Sequence, residues 1–125
     1  ELVMAAYRLP RDTEEQKTER AKSIRGATIG AAEAPLATAS GARKLLSSLE
    51  KLCVSCNANA LTDLASASEL SLSAVKMAAM NVRINLEFIE GDDVDRLASQ
   101  INRVVLKSTA SAEAITLKVS ERLGW

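Results

Sequence analysis

The chain has 125 residues with 16 basic and 16 acidic side chains, so it carries no formal net charge and has the size of a single domain. Histidine is absent, and Tyr7, Phe88 and Trp125 are the only aromatic residues. With neither a basic excess nor stacking rings, nucleic acid is not an expected partner; without imidazole, acid–base chemistry falls to carboxylates or lysine, and metal sites built on histidine are excluded.

Alanine and serine together supply 34 residues, spread through periodic segments. Side chains this small let helix axes approach closely, toward the lower end of the usual ~8–10 Å. The longest strongly apolar run is far short of the ~20 residues that span a bilayer, and no charged-then-apolar leader is seen. The expected location is therefore the cytoplasm, with no membrane partner.

Residues Glu1 to Arg8 read as the last turns of a helix, with Leu2, Val3 and Ala6 on one face and no capping residue before them. The chain is expected to begin inside an element and to lack an N-terminal segment. Pro10 ends this helix, and Thr13 with Gln16 forms a capping box for the next, with Glu14 and Glu15 at its positive end. From there Ile24, Thr28, Ala31, Pro35, Thr38, Ala42, Leu45, Leu49 and Leu52 recur at spacings of four and three, which predicts one helix of about 40 residues with that stripe as its seam. Pro35 removes the bond to the Ala31 carbonyl, so a kink is expected at mid-helix. The small residues around it suit either close helix packing or room for a ligand.

Cys53-Val54-Ser55-Cys56 is a CxxC, but no βαβ setting surrounds it and no further zinc ligands are visible, so it reads as two small apolar residues at a helix end. Cys56 to Asn59 reads as a turn, after which Asn59 or Thr62 caps a third helix over Leu61 to Leu86. Its apolar residues cover more than one stripe: Leu61, Leu64, Ser68, Leu72, Val75, Ala79, Val82 and Leu86 on one, with Leu70, Met77 and Ile84 elsewhere. That predicts a buried central helix. Glu87 to Gly91 breaks it, and Asp92 or Asp93 caps a last helix with Val94, Leu97, Ile101, Val104, Ala112, Ile115 and Val119 inward. No long strand alternation occurs. The fold class expected is all-α: one domain over residues 1–125, an antiparallel helical bundle with one long Pro-kinked helix and a buried central helix.

The central helix carries Asp63 at its entrance and Asn81, Arg83 and Asn85 at its exit. Burying these groups costs several kcal/mol unless each finds a partner or a ligand, which marks them as either networked or functional. Asp63, Ala67, Leu70, Ala74, Ala78, Asn81 and Asn85 share one stripe, yet Asp63 and Asn81 are about 27 Å apart along a straight helix. One ligand touches both only if a second copy runs antiparallel beside the first, and the alanines of the stripe suit such a contact. Glu69, Lys76 and Arg83 form a second stripe, readable as an ion-paired or solvent face. Asp63 also has a plain structural role open to it, since a first-turn acid stabilises a helix.

At these residues the chain resembles the formimidoyltetrahydrofolate cyclodeaminase and methenyltetrahydrofolate cyclohydrolase family. The resemblance rests on Val3-Met4-Ala5-Ala6-Tyr7-Arg8-Leu9-Pro10 with Thr13-Glu14-Glu15-Gln16-Lys17, on Ala34-Pro35-Leu36, on Asn59-Ala60-Leu61-Thr62-Asp63, and on Asn81-Val82-Arg83-Ile84-Asn85-Leu86. It implies a helical bundle that pairs as a homodimer with a folate pocket near the subunit contact. The implied chemistry acts on a one-carbon unit held between two folate nitrogens: ring closure of a formimino group with loss of ammonia, or hydrolytic opening of a methenyl bridge. Neither needs a metal or a cofactor beyond the tetrahydrofolate derivative that is the substrate. Asp63 matches the acidic position of the family's Ser/Thr-Asp motif and is the expected acid–base residue, with Asn81, Arg83 and Asn85 expected at the ligand or at the dimer contact. Family members also carry a glycine-rich stretch in an N-terminal part that has no counterpart here. The competing expectation is a non-catalytic helical protein whose polar residues form a structural network.

Overall fold

The computed structural model describes residues 1–87 and 89–125. Four helices account for nearly all of them: α1 (Leu2–Tyr7), α2 (Glu14–Leu52), α3 (Leu61–Leu86) and α4 (Asp92–Leu123), with a single 3₁₀ turn at Ala58–Ala60. α2, α3 and α4 pack against one another in all three pairings, and α1 lies on α2. Arg25 near the start of α2 meets Asp93 at the start of α4, and Arg122 at the end of α4 meets Cys53 and Cys56 at the end of α2. These two helices therefore run parallel, with α3 antiparallel to both.

The capping box of α2 forms as the sequence predicts. Gln16 N–H donates to Thr13 Oγ1 at 3.2 Å and the Gln16 side chain accepts from the Thr13 N–H at 3.3 Å. α2 then runs 39 residues without interruption through Pro35. Its inward stripe is not the expected one. Ala32, Leu36, Ala39, Leu46 and Leu49 are buried, whereas Leu45 and Leu52 are 50% and 52% exposed. Only Leu49 belongs to both sets. Apolar and small residues occur on adjacent rows about 100° apart, and α2 turns toward its two neighbours the row that places Leu36 and Leu46 between them.

α3 buries every member of its predicted inner stripe, Leu61 through Leu86. It contacts both other long helices, yet it is not enclosed on all sides: Leu70, Met77 and Ile84 are 72%, 57% and 55% exposed. Its start is capped differently from expectation. Ala60 occupies the N-cap position with no side-chain bond, while Asn57 Oδ1 accepts from the Asn59 N–H at 3.0 Å and so organises the 3₁₀ turn before it. Asn59 and Thr62 do not cap.

All seven predicted inward residues of α4 are buried, with Ser108 added to the stripe. Neither Asp92 nor Asp93 is its cap. Gly91 holds that position at φ 121°, and its carbonyl accepts from the Val94 and Asp95 N–H groups at 2.8 and 3.2 Å. Asp92, Asp93 and Asp95 follow in the first turn, where their charge opposes the exposed helix dipole. Of the expected break over Glu87 to Gly91, Phe88 lies outside the described residues.

α1 buries only Ala6; Leu2 is exposed and Val3 partly so, because the short helix rests on one neighbour. Arg20 ties it down by donating to the Tyr7 carbonyl at 3.1 Å with its guanidinium 5.5 Å from the Tyr7 ring centre.

Two expectations follow for stability. Gly91→Ala forces a β-carbon into a backbone region that L-residues avoid and places it 2.8 Å from Arg25 Nη2; urea unfolding should show a loss of about 1–3 kcal/mol. Ser108 is fully buried with no partner for its hydroxyl, so Ser108→Ala should leave stability unchanged or raise it by up to about 1 kcal/mol.

Candidate functional site

Asp63 sits exposed in the first turn of α3, where the unpaired backbone N–H groups of the helix start favour a carboxylate. Asn81 and Arg83 are exposed and Asn85 is partly buried. The expected burial therefore does not occur for Asp63, Asn81 and Arg83 and is only partial for Asn85, because these residues lie beside the inner stripe of α3 and not on it. No desolvation penalty attaches to the three exposed groups.

Three of the four share a face, as the spacing predicts. Asn81 Nδ2 donates to the Met77 carbonyl at 3.2 Å, and Asn85 Nδ2 donates to the Asn81 carbonyl at 2.7 Å. Both amides thus use their N–H₂ groups on their own helix. Asn81 also lines a shallow groove between α2 and α3 of about 250 Å³, together with Pro35, Thr38, Ala74, Met77 and Ala78. This is the place where the small residues around Pro35 meet the α3 stripe.

Arg83 is elsewhere. It lies about 160° around the helix from Asn81, and its Nη2 donates to Asn102 Oδ1 of α4 at 2.9 Å. It borders an open apolar groove of about 640 Å³ lined by Met80, Ile84, Leu86, Val94 and Ala98. The Glu69, Lys76 and Arg83 row therefore flanks α4, and none of the three joins an ion pair seen among the described residues.

Asp63 and Asn81 remain about 27 Å apart within one copy of the chain. What lies between them is the exposed pair Leu70 and Met77 beside the half-buried Ala67 and Ala74, while Ala78 of the same stripe is buried in the core.

The two cysteines serve the structure at the other end of the bundle. Cys53 is buried and donates from Sγ to the Glu50 carbonyl at 3.0 Å. Burial pushes its thiol above the ordinary value, reinforced by Cys56 and Glu50 and opposed by Lys118 and Arg122. Arg122 donates to the Cys53 and Cys56 carbonyls at 2.9 and 2.7 Å and approaches Cys56 Sγ at 3.6 Å. That clamp closes the α2–α3 turn onto the end of α4, a contact that the sequence pattern did not reveal because it joins residues far apart in the chain. No group of three histidine, cysteine, aspartate or glutamate side chains placed to hold a metal occurs among the described residues.

The architecture is thus an all-α domain with an outward-facing polar and apolar row on its middle helix. Residues 1–103 match the family model described as formiminotransferase-cyclodeaminase, and the chain belongs to that family. It is also 32% identical over 88 residues to a methenyltetrahydrofolate cyclohydrolase of Methylorubrum extorquens, a match that covers 70% of this chain and 42% of that protein. The chain therefore spans less than half the length of the curated relative it matches. No helix among the described residues is long and apolar enough to cross a membrane.

The clamp generates two expectations. Arg122→Ala leaves two turn carbonyls without their charged donor and should cost about 1–3 kcal/mol in urea unfolding. A thiol-alkylating reagent at neutral pH should label the partly exposed Cys56 before the buried, high-pKa Cys53, as read by mass spectrometry of partially modified protein.

Proposed function

We propose that the chain is the catalytic helical domain of a folate one-carbon enzyme, either closing formimino-tetrahydrofolate to methenyl-tetrahydrofolate with release of ammonia or hydrolysing methenyl-tetrahydrofolate. The family match over residues 1–103 carries this reading, and the relative named as a methenyltetrahydrofolate cyclohydrolase agrees with it. In ring closure, the second folate nitrogen attacks the formimino carbon, the bond from that carbon to the amine breaks, and ammonia leaves with a proton. In hydrolysis, water adds to the bridging carbon and one carbon–nitrogen bond opens. Each route needs a proton donor and acceptor beside the carbon, and Asp63 takes that role.

The site forms between two copies. The exposed Leu70 and Met77 of α3, with the half-buried Ala67 and Ala74 beside them, are the contact, and antiparallel pairing of two such helices brings Asp63 of one copy toward Asn81 and Asn85 of the other. The amide oxygens of Asn81 and Asn85, whose N–H₂ groups are engaged on their own helix, accept from the pterin N–H groups. Arg83, held by Asn102, steadies the α3–α4 side of the same helix end.

Titration of the full-length protein with a reduced folate should show saturable binding, and its absence overturns the folate reading in favour of a non-catalytic bundle. Following ammonia release against methenyl absorbance then separates the two reactions. Asp63→Asn should keep fold and folate affinity while lowering turnover roughly a hundredfold or more; a variant within a few-fold of the parent reduces Asp63 to a helix-start acid. Sedimentation at micromolar concentration should give a dimer, with a contact of about 1,200 to 2,000 Å², and a monomer would remove the two-copy site.

A further inference from the structure

The charge of this neutral chain is not evenly mixed. No acidic residue occurs between Glu33 and Glu50 in α2 or between Asp95 and Glu113 in α4, and the two stretches contain Arg43, Lys44, Arg96, Arg103 and Lys107. The fold lays four of these cations along one groove. Arg43 of α2 faces Arg96, Gln100, Arg103 and Lys107 of α4 across a cleft of about 310 Å³, with Val104 also in its wall. The α4 members follow the four-and-three spacing of one helix row, so their cations line up along the groove: Arg96 to Arg103 spans about 10 Å and Arg103 to Lys107 about 6 Å.

A row of like charges at such spacing repels itself, and ordinary surfaces relieve this with interspersed acids. Here no ion pair seen among the described residues involves any of the four. Arg43 is partly buried, and a partly buried charge is screened less by solvent than a free surface charge. Three guanidinium forks and one ammonium, with an amide donor between them, match the oxygens of phosphate or carboxylate groups.

We propose that this cleft between α2 and α4 is a binding site for a small linear polyanion carrying two to four phosphate or carboxylate groups. Arg43 and Lys107 grip one end of the ligand, the Arg103 fork takes its middle and Arg96 its other end, and Gln100 donates from the side. No residue of α3 lines the cleft, so it is separate from the Asp63 row and is independent of the folate reading. The volume suits a short chain of charged groups and is too small for a folded partner.

The test is calorimetric titration at about 0.15 M salt, where exposed charges more than ~8 Å apart are largely screened. Tripolyphosphate and citrate are the probes, with inorganic phosphate as the single-group comparison. One tripolyphosphate or one citrate per chain should bind saturably and at least tenfold more tightly than inorganic phosphate, and whichever is tighter identifies the phosphate or carboxylate source. Arg103→Gln and the pair Arg96→Gln with Lys107→Gln should each weaken binding tenfold or more, while Lys22→Gln, an exposed cation elsewhere on α2, should not. Circular dichroism and urea unfolding of the same variants confirm that the bundle is intact. Absence of saturable binding, equal binding of all three anions, or an equal loss from Lys22→Gln overturns the proposal.

Discussion

Close approach of three long helices is the constraint on which the rest of this structure depends. Among the described residues the core holds no aromatic ring: it is built from leucine, isoleucine and valine interleaved with Ala32, Ala39, Ala78, Ala79, Ala112, Ser68 and Ser108. Each small residue lets a neighbouring helix come near, and each aliphatic one fills the space between. The arrangement gives little room for adjustment. An enlarged residue at Ala32 or Ala79, both of them fully buried, has no free space to enter and has to displace its neighbours.

With burial running along the helices, the ends are held by polar contacts instead. Arg25 donates to the Glu90 carbonyl and to Asp93 at one end of the bundle, and Arg122 donates to the Cys53 and Cys56 carbonyls at the other. The Arg25 pair is well exposed and so contributes mainly register, since exposed ion pairs are worth little. The Arg122 clamp is partly buried and satisfies carbonyls that a helix end leaves open. Together they fix the parallel alignment of α2 and α4, and with it the cleft in which Arg43 meets the α4 cation row.

The same geometry decides what α3 shows to its surroundings. Its inner stripe is committed to the core, which leaves Asp63, Leu70, Met77, Asn81 and Ile84 facing out. In the folate reading this outward row is the functional surface of the domain, and the long separation between Asp63 and Asn81 is spanned by symmetry. Stability and function then lie on opposite faces of one helix, so a change at Asn81 is free of the packing cost that a change at Val82 carries.

The helices themselves were legible in the sequence. Thr13 and Gln16 specify where α2 begins, the 3.6-residue recurrence of Val94 through Val119 specifies which side of α4 is inside, and the stripe from Leu61 to Leu86 does the same for α3. These are local signals, set by capping and by periodicity within one element. Family membership was legible too, from short motifs spread along the chain. What only the tertiary structure decided is which of two adjacent rows of α2 is buried, that Gly91 and not an aspartate starts α4, that Arg83 turns toward Asn102 and away from Asn81, and that Arg122 reaches the cysteine turn. An alanine-rich helix offers two nearly equivalent apolar rows, and the choice between them depends on where two other helices lie. Periodicity within a single helix carries no information about that, because the deciding contacts join residues tens of positions apart.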